Sequence, residues 1–248
     1  RNQKNMIKGI GKVVTWIVVI LLFLVGFSLS FLTIAEYRPS DEEVLSIESE
    51  NTEKVELNQT LRLMSFNIGY AGLGAAEDFV MDGGSKGRPD SLEVIESYLL
   101  GITSLLQEHT SDIYLLQEVD LHARRSYHVN QVKTIHDVLG DAYAYHFAYN
   151  FKSIFVPFPV SFTDYIGGVE SGLMMLSNRE ITSAKRLQFP GEFAWPLRVA
   201  NLKRAMTVSR MPILGSEKEL VVVNLHMSAY DSDGSMRNAE MQFLKEFL

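Results

Sequence analysis

With 248 residues, 46% of them hydrophobic and 21% charged, the chain is long and apolar enough for one sizeable globular core. Its net charge of −7 and lack of a basic stripe argue against a protein that holds nucleic acid unaided. The absence of cysteine excludes disulfides and thiolate metal sites, so any metal must be held by oxygen or imidazole.

Arg1, Lys4, Lys8 and Lys12 precede a run, residues 13–35, that is uncharged, mostly apolar and long enough to cross a bilayer. Basic residues before it and acidic ones after it place the N-terminus in the cytoplasm and the rest of the chain outside. A cleaved signal peptide is the competing reading, because Thr33-Ile34-Ala35 offers a small-residue site, but the apolar region is longer than such peptides carry. The expectation is a basic cytoplasmic segment at 1–12 and a single-pass cell-membrane anchor at 13–35. Residues 36–60 hold eight acids against Arg38 and Lys54, include Pro39, and read as a solvated stalk.

The globular part is expected over 61–248. Residues 61–67 form a short strand ending in Asn67, followed by a glycine-marked loop at Gly69, Gly72 and Gly74. A helix opens near Asp90, capped with Glu93 three residues on, and carries an apolar stripe of Leu92, Ile95, Leu99, Ile102 and Leu106. Residues 112–119 (DIYLLQEV) follow as a strand buried on both faces that delivers the Glu118 carboxylate to its C-terminal end. A carboxylate there is costly unless a cation meets it, commonly a hard divalent metal; a solvated strand-end glutamate is the plain alternative.

A second helix is expected over 126–139, closed by Gly140. Strands follow at 143–148, 171–177, 180–188, 203–210 and 219–225, then a helix after Asp233-Gly234-Ser235 with Phe243, Leu244 and Phe247 on one face. Helices separated by strands and hairpins give an α/β layered sandwich. Between Tyr149 and Ile166, a loop bearing Phe151, Phe155, Phe158 and Phe162 either forms an apolar wedge for lipid or a stacked base, or packs its aromatics beneath itself.

Asn67, Glu118 and His226 each stand at a predicted strand exit, where their side chains converge if the strands are neighbours. Singly, each has an ordinary explanation: a turn asparagine, a solvated glutamate, a hydrogen-bonding histidine. Arg204 begins a strand and could neutralise a phosphate bidentately, or be simply exposed.

Taken in order, SFNI, DIYLLQEV, a Gly-Leu strand, KRAMTV and VVVNLHMSA resemble the endonuclease/exonuclease/phosphatase superfamily, which includes deoxyribonuclease I, abasic-site endonucleases, neutral sphingomyelinases and inositol-phosphate 5-phosphatases. The resemblance implies a Mg²⁺ (or Mn²⁺)-dependent phosphoester hydrolase on a four-layer α/β sandwich. It casts Glu118 as metal ligand, Asn67 as the asparagine at metal and phosphate, His226 as the histidine on the scissile phosphate and Arg204 as the nuclease-branch arginine. Glu170 matches an acidic residue supporting a histidine. The substrate is a phosphoester, lipid or nucleic acid, and no obligate protein partner is expected.

The superfamily's later Gly-Asp-x-Asn and Asp-His motifs do not occur in these 248 residues. The chain is therefore expected to be a C-terminally truncated piece, nearly inactive alone, with an incomplete sandwich. The alternative is a non-catalytic, membrane-anchored binding module that keeps the fold.

Overall fold

The computed structural model describes residues 2–49, 51–229, 231 and 233–248, and side chains from residue 9 onward. Of the basic segment expected at 1–12, Arg1 and the side chains of Lys4 and Lys8 lie outside the described residues. In chain order the elements are α1 (Asn2–Ile34), β1 (Glu42–Val44), β2 (Leu63–Asn67), α2 (Leu92–Glu108), β3 (Ile113–Ala123), α3 (Gln131–Leu139), β4 (Ala144–Val156), β5 (Gly167–Ser177), β6 (Ser183–Gln188), β7 (Ala205–Pro212), β8 (Glu219–Leu225) and α4 (Ser235–Phe247).

The strands form two four-stranded sheets, ordered β2-β3-β5-β4 and β1-β6-β7-β8. Among the strand pairs of the described residues, β2–β3 alone is parallel, and its crossover is α2. The alternation along β3 explains the layering. Tyr114 and Leu116 pack with Ile95, Leu99 and Leu106 of α2 and Val132 and Ile135 of α3. Ile113 and Leu115 face the other way, onto Met211 and Val222 of the second sheet. Met206 and Val208 of β7 turn outward to Phe243 and Leu244 of α4. Helices, sheet, sheet, helix make four layers, as the sequence led one to expect.

Several expected boundaries move, each for a local reason. β3 does not end at Glu118: its register against β5 shifts between Leu116 and Val119, and the strand resumes to Ala123. Glu118 thus sits in a β-bulge rather than at a terminus. The helix expected from 126 starts at Gln131, because Tyr127 and His128 adopt positive φ and Asn130 is the cap, its side chain accepting from Lys133 N at 2.8 Å. Asp90 does not cap α2; it pairs with Lys86 at 2.6 Å, and Ser91 takes the cap position. β4 runs on to Val156, so half of the expected aromatic loop is strand: Phe151 is buried, while Phe158, Val160 and Phe162 remain exposed.

The largest correction concerns residues 36–60, which are not a solvated stalk. β1 pairs antiparallel with β6, Glu48 bridges Tyr145, and Val55 is buried against the inter-sheet core. Backbone pairing needs no apolar pattern, which is why two glutamates and an exposed valine complete a sheet edge. α1 behaves differently. Its Gly9–Ile34 stretch is long and apolar enough to cross a membrane, and only 6% of its most apolar window is buried against the rest of the chain.

Candidate active site

β2 and β3 lie parallel with Asn67 opposite Gln117, so Asn67 and Glu118 leave their sheet at one edge. The bulge turns Glu118 to a φ of +55°, a left-handed conformation that costs a side-chain-bearing residue about 1 kcal/mol and aims its carboxylate at Asn67. Asn67 Nδ2 donates to Glu118 Oε1 at 3.0 Å, while Asn67 Oδ1 accepts from Gly69 N at 3.0 Å.

His226 arrives from the other sheet. The buried Asn224, two residues earlier, stitches the sheets together: its Nδ2 donates to the carbonyls of Leu116 and Met174, both at 3.1 Å, and its Oδ1 accepts from Gln117 Nε2 at 2.7 Å. Gln117 adjoins Glu118, so this amide clamp sets the separation across the site. His226 Nε2 then lies 3.5 Å from Glu118 Oε1. Asn150 Nδ2 stands 3.5 Å behind Nδ1, and beyond the histidine Ser228 donates from N (2.8 Å) and Oγ (2.7 Å) to the buried Glu240 of α4.

The contact between His226 and Glu118 is not an ion pair at neutral pH. Burial, and then the charges of Arg204 and Arg125, push the imidazole down to about 3. Asn150 Nδ2, a donor, faces Nδ1 at 3.5 Å, an arrangement that suits the neutral tautomer protonated at Nε2.

Arg125 is buried in a pair with Asp120 at 2.8 Å, and its guanidinium lies 3.8 Å from the Tyr70 ring centroid. Although burial opposes it, the charges of Asp120, Tyr70 and Glu118 raise its pKa. The cation that the sequence argument required near Glu118 is thus in part supplied by protein.

Arg204 precedes β7 and lines the same cavity as Glu118. Glu170 does not join: its partners are Lys152 at 3.2 Å and the Tyr149 hydroxyl at 3.1 Å, and no contact with His226 occurs among the described residues. The β3–β5 register pairs it with His122, away from the cluster. The sequence reading missed Asn150, Asn224, Gln117 and Arg125. VVVNLH carried a signal for one of them, since an amide inside an apolar strand must find partners.

A Mg²⁺-type ion keeps several waters and needs one or two carboxylates, which Glu118 and an amide oxygen from Asn67 fit. The asparagine would have to turn its oxygen from Gly69 N. Two buried oxygens beside the cluster, Asn150 Oδ1 and Tyr70 Oη, have no hydrogen-bond partner among the described residues, so the neighbourhood is polar enough for a hydrated guest. Among the described residues, however, no group of three His, Asp or Glu side chains gathers as a metal cage.

The cavity has a volume of about 590 Å³. Glu118, Arg204 and Tyr70 line it together with the apolar Phe151, Phe158 and Leu202, and so do Leu29 and Leu32 of α1. A hollow of about 660 Å³ at the start of β2, lined by Arg62, Glu108 and neighbours, includes none of the site residues.

No protein-family profile and no curated protein matches the chain. Among solved structures, an endonuclease/exonuclease/phosphatase from Beutenbergia cavernae DSM 12333 is similar with a TM-score of 0.55 at 18% identity, over 76% of this chain and 44% of its own. A protein of that family from Leptotrichia buccalis C-1013-b gives 0.46 at 13% identity over 76% and 63%, and the human Nocturnin catalytic domain 0.46 at 14% over 82% and 62%. This chain spans less than half the length of the Beutenbergia protein. By architecture, the chain has the fold of the endonuclease/exonuclease/phosphatase proteins.

Proposed function

We propose that the chain contributes to a divalent-metal-dependent phosphoester hydrolase, held at a membrane by α1 with its sandwich outside the cytoplasm. The observation that carries this reading is the meeting of Asn67, Glu118 and His226, from three strands in two sheets, within 3.0 and 3.5 Å. Glu118 and Asn67 are the residues to hold Mg²⁺ or Mn²⁺, which when bound supplies charge neutralisation at the phosphoryl group and acidifies a water. His226, neutral and fixed by Asn150, presents an Nε2–H to a phosphoryl oxygen. Arg204 adds positive charge for the anion. Asn67 is exposed and Glu118 and His226 are only partly buried, so a hydrated ion and an anionic group can reach these contacts from solvent.

The test is release of product from bis(p-nitrophenyl) phosphate and from phospholipid vesicles, with Mg²⁺ or EDTA. Glu118→Gln should abolish the Mg²⁺-dependent part, and His226→Ala should lower kcat by roughly 10²-fold, as for removal of one preorganised donor. Activity indifferent to EDTA and to both substitutions would sink the hydrolase reading. The sparse metal cage among the described residues favours one second reading, a membrane-held module that binds phosphoesters without cleaving them. In that case phosphate-ester binding survives while turnover is absent.

Anchoring is checked separately. The full chain should remain with membranes through a carbonate wash and leave them only with detergent. Release by carbonate would remove α1 as a span.

A further inference from the structure

α1 does more than reach the domain. Its end is bolted to it beside the site. The Glu36 carboxylate, whose side chain is 1% exposed, accepts from Lys203 Nζ at 2.7 Å and from Arg38 Nη2 at 3.0 Å, with Arg198 Nε at 3.7 Å. Trp195 Nε1 donates to Thr33 Oγ1 at 3.0 Å. Lys203 is the sequence neighbour of Arg204, so the joint and the site share one stretch of backbone. The cavity is consequently walled by both, with Leu29 and Leu32 of the apolar helix and with Glu118 and Arg204.

Around this joint the surface is apolar where a soluble domain would be polar. Trp195 and Leu197 are 55% and 66% exposed, and Val160 and Phe162, in the loop whose Phe158 lines the cavity, are almost fully exposed. Trp195 bonds α1 at Thr33, and Leu197 and Phe158 line the cavity, so exposed apolar surface adjoins both the helix end and the cavity. A volume of about 590 Å³ suits a ligand of some size, and its walls offer charge where a phosphate belongs and aliphatic or aromatic carbon elsewhere.

Resting on the membrane reading above, we propose that this cavity takes the acyl chain of a bilayer phospholipid, whose phosphoester sits among Glu118, His226 and Arg204, and that the lipid reaches it along α1. The substrate class is then a two-part molecule, anionic at one end and hydrocarbon at the other, drawn sideways from the leaflet rather than from solution. The chemistry on the page favours this over a nucleoside, because only the acyl chain accounts for an anchor residue in the wall.

The test reads binding, not turnover. The full chain is placed in nanodiscs of phosphatidylcholine and phosphatidylglycerol doped with a phosphatidylcholine carrying a terminal diazirine on one acyl chain. After irradiation, labelled residues are mapped by mass spectrometry. Label is expected on Phe151, Phe158 and Leu202 as well as along α1. Ala200→Trp, which fills the cavity, should reduce the cavity label by about tenfold, as should Leu29→Trp, which cannot unfold the sandwich because it lies outside it. Label confined to α1, or cavity label unchanged by Leu29→Trp, overturns the proposal. Protection of the cavity by a soluble mononucleotide, with vesicle lipid absent from it, overturns it in favour of a nucleoside. Lipid hydrolysis in the same nanodiscs, with and without EDTA, is scored apart. Cavity label without hydrolysis leaves this inference standing and shows only that this stretch does not turn lipid over alone, and hydrolysis without cavity label overturns this inference while the hydrolase stands.

Discussion

Glu118 holds the cost and the purpose of the site in one residue, a carboxylate set in left-handed backbone by a bulge. Asn224 makes that geometry reproducible. Asn224→Ala removes three inter-sheet hydrogen bonds, one from Gln117 Nε2 and two to the carbonyls of Leu116 and Met174, and should destabilise the fold by roughly 2 kcal/mol in denaturant melts. It should also lower hydrolysis more than stability alone explains, because His226 loses its register to Glu118. A different histidine governs acid sensitivity. His146 is fully buried, its Nε2 2.7 Å from Ser209 Oγ across the sheets, and burial pushes its imidazole from 6.5 down to about 4. The unfolded chain therefore binds a proton as pH falls below about 6.5, which the folded chain refuses until about 4. Stability should decline across that window by about 3 kcal/mol, and His146→Gln should flatten the decline in melts at pH 7.5 and 5. Asn67, Glu118 and His226 were legible because each follows an apolar run. Asn150 and Gln117 were not: an amide's partner across 76 or 107 residues leaves no trace in spacing.

At the level of elements, the strand pattern was readable wherever one face met a core, and unreadable where backbone alone did the pairing. β5 shows the first case. A Cβ at Gly172 would meet Ala148 O at 1.9 Å, and Gly172 stands opposite Val119 just past the bulge, which is the physical reason for the Gly-Leu pair in that strand. Gly172→Ala should cost about 3 kcal/mol and loosen the bulge with it, seen as a lowered melting midpoint. β1 shows the second case. Glu42, Glu43 and Val44 carry no strand signature, yet they pair with β6, and Lys185 Nζ meets Glu42 at 2.6 Å. The mis-set start of α3 has the same origin, because a helical period begins before Tyr127 and His128 but their positive φ cannot belong to a helix.

For the whole molecule, a layered α/β sandwich followed from the order of helices and strands and its four layers from the family resemblance, whereas the relation of α1 to the sandwich did not, because an acidic, proline-containing segment reads as a spacer. The ion cluster at Glu36 removes that spacer. Burial alone would raise its carboxyl, but Lys203, Arg38 and Arg198 hold it below the usual carboxylate range. Glu36→Ala leaves Lys203, 8% exposed, without its closest carboxylate, and should free the sandwich to swing, read as increased amide exchange over 195–204 with α1 still membrane-held.

The lack of slack at that joint has a kinetic corollary. A catalytic head on a long leash samples a hemisphere, and its local supply of any target is diluted by the leash's own length. If α1 spans a bilayer, as proposed, the joint at Glu36 leaves the sandwich close to the membrane, so collisions with molecules in the same plane become a search in two dimensions. Rates should then follow surface density in mole fraction, not bulk concentration.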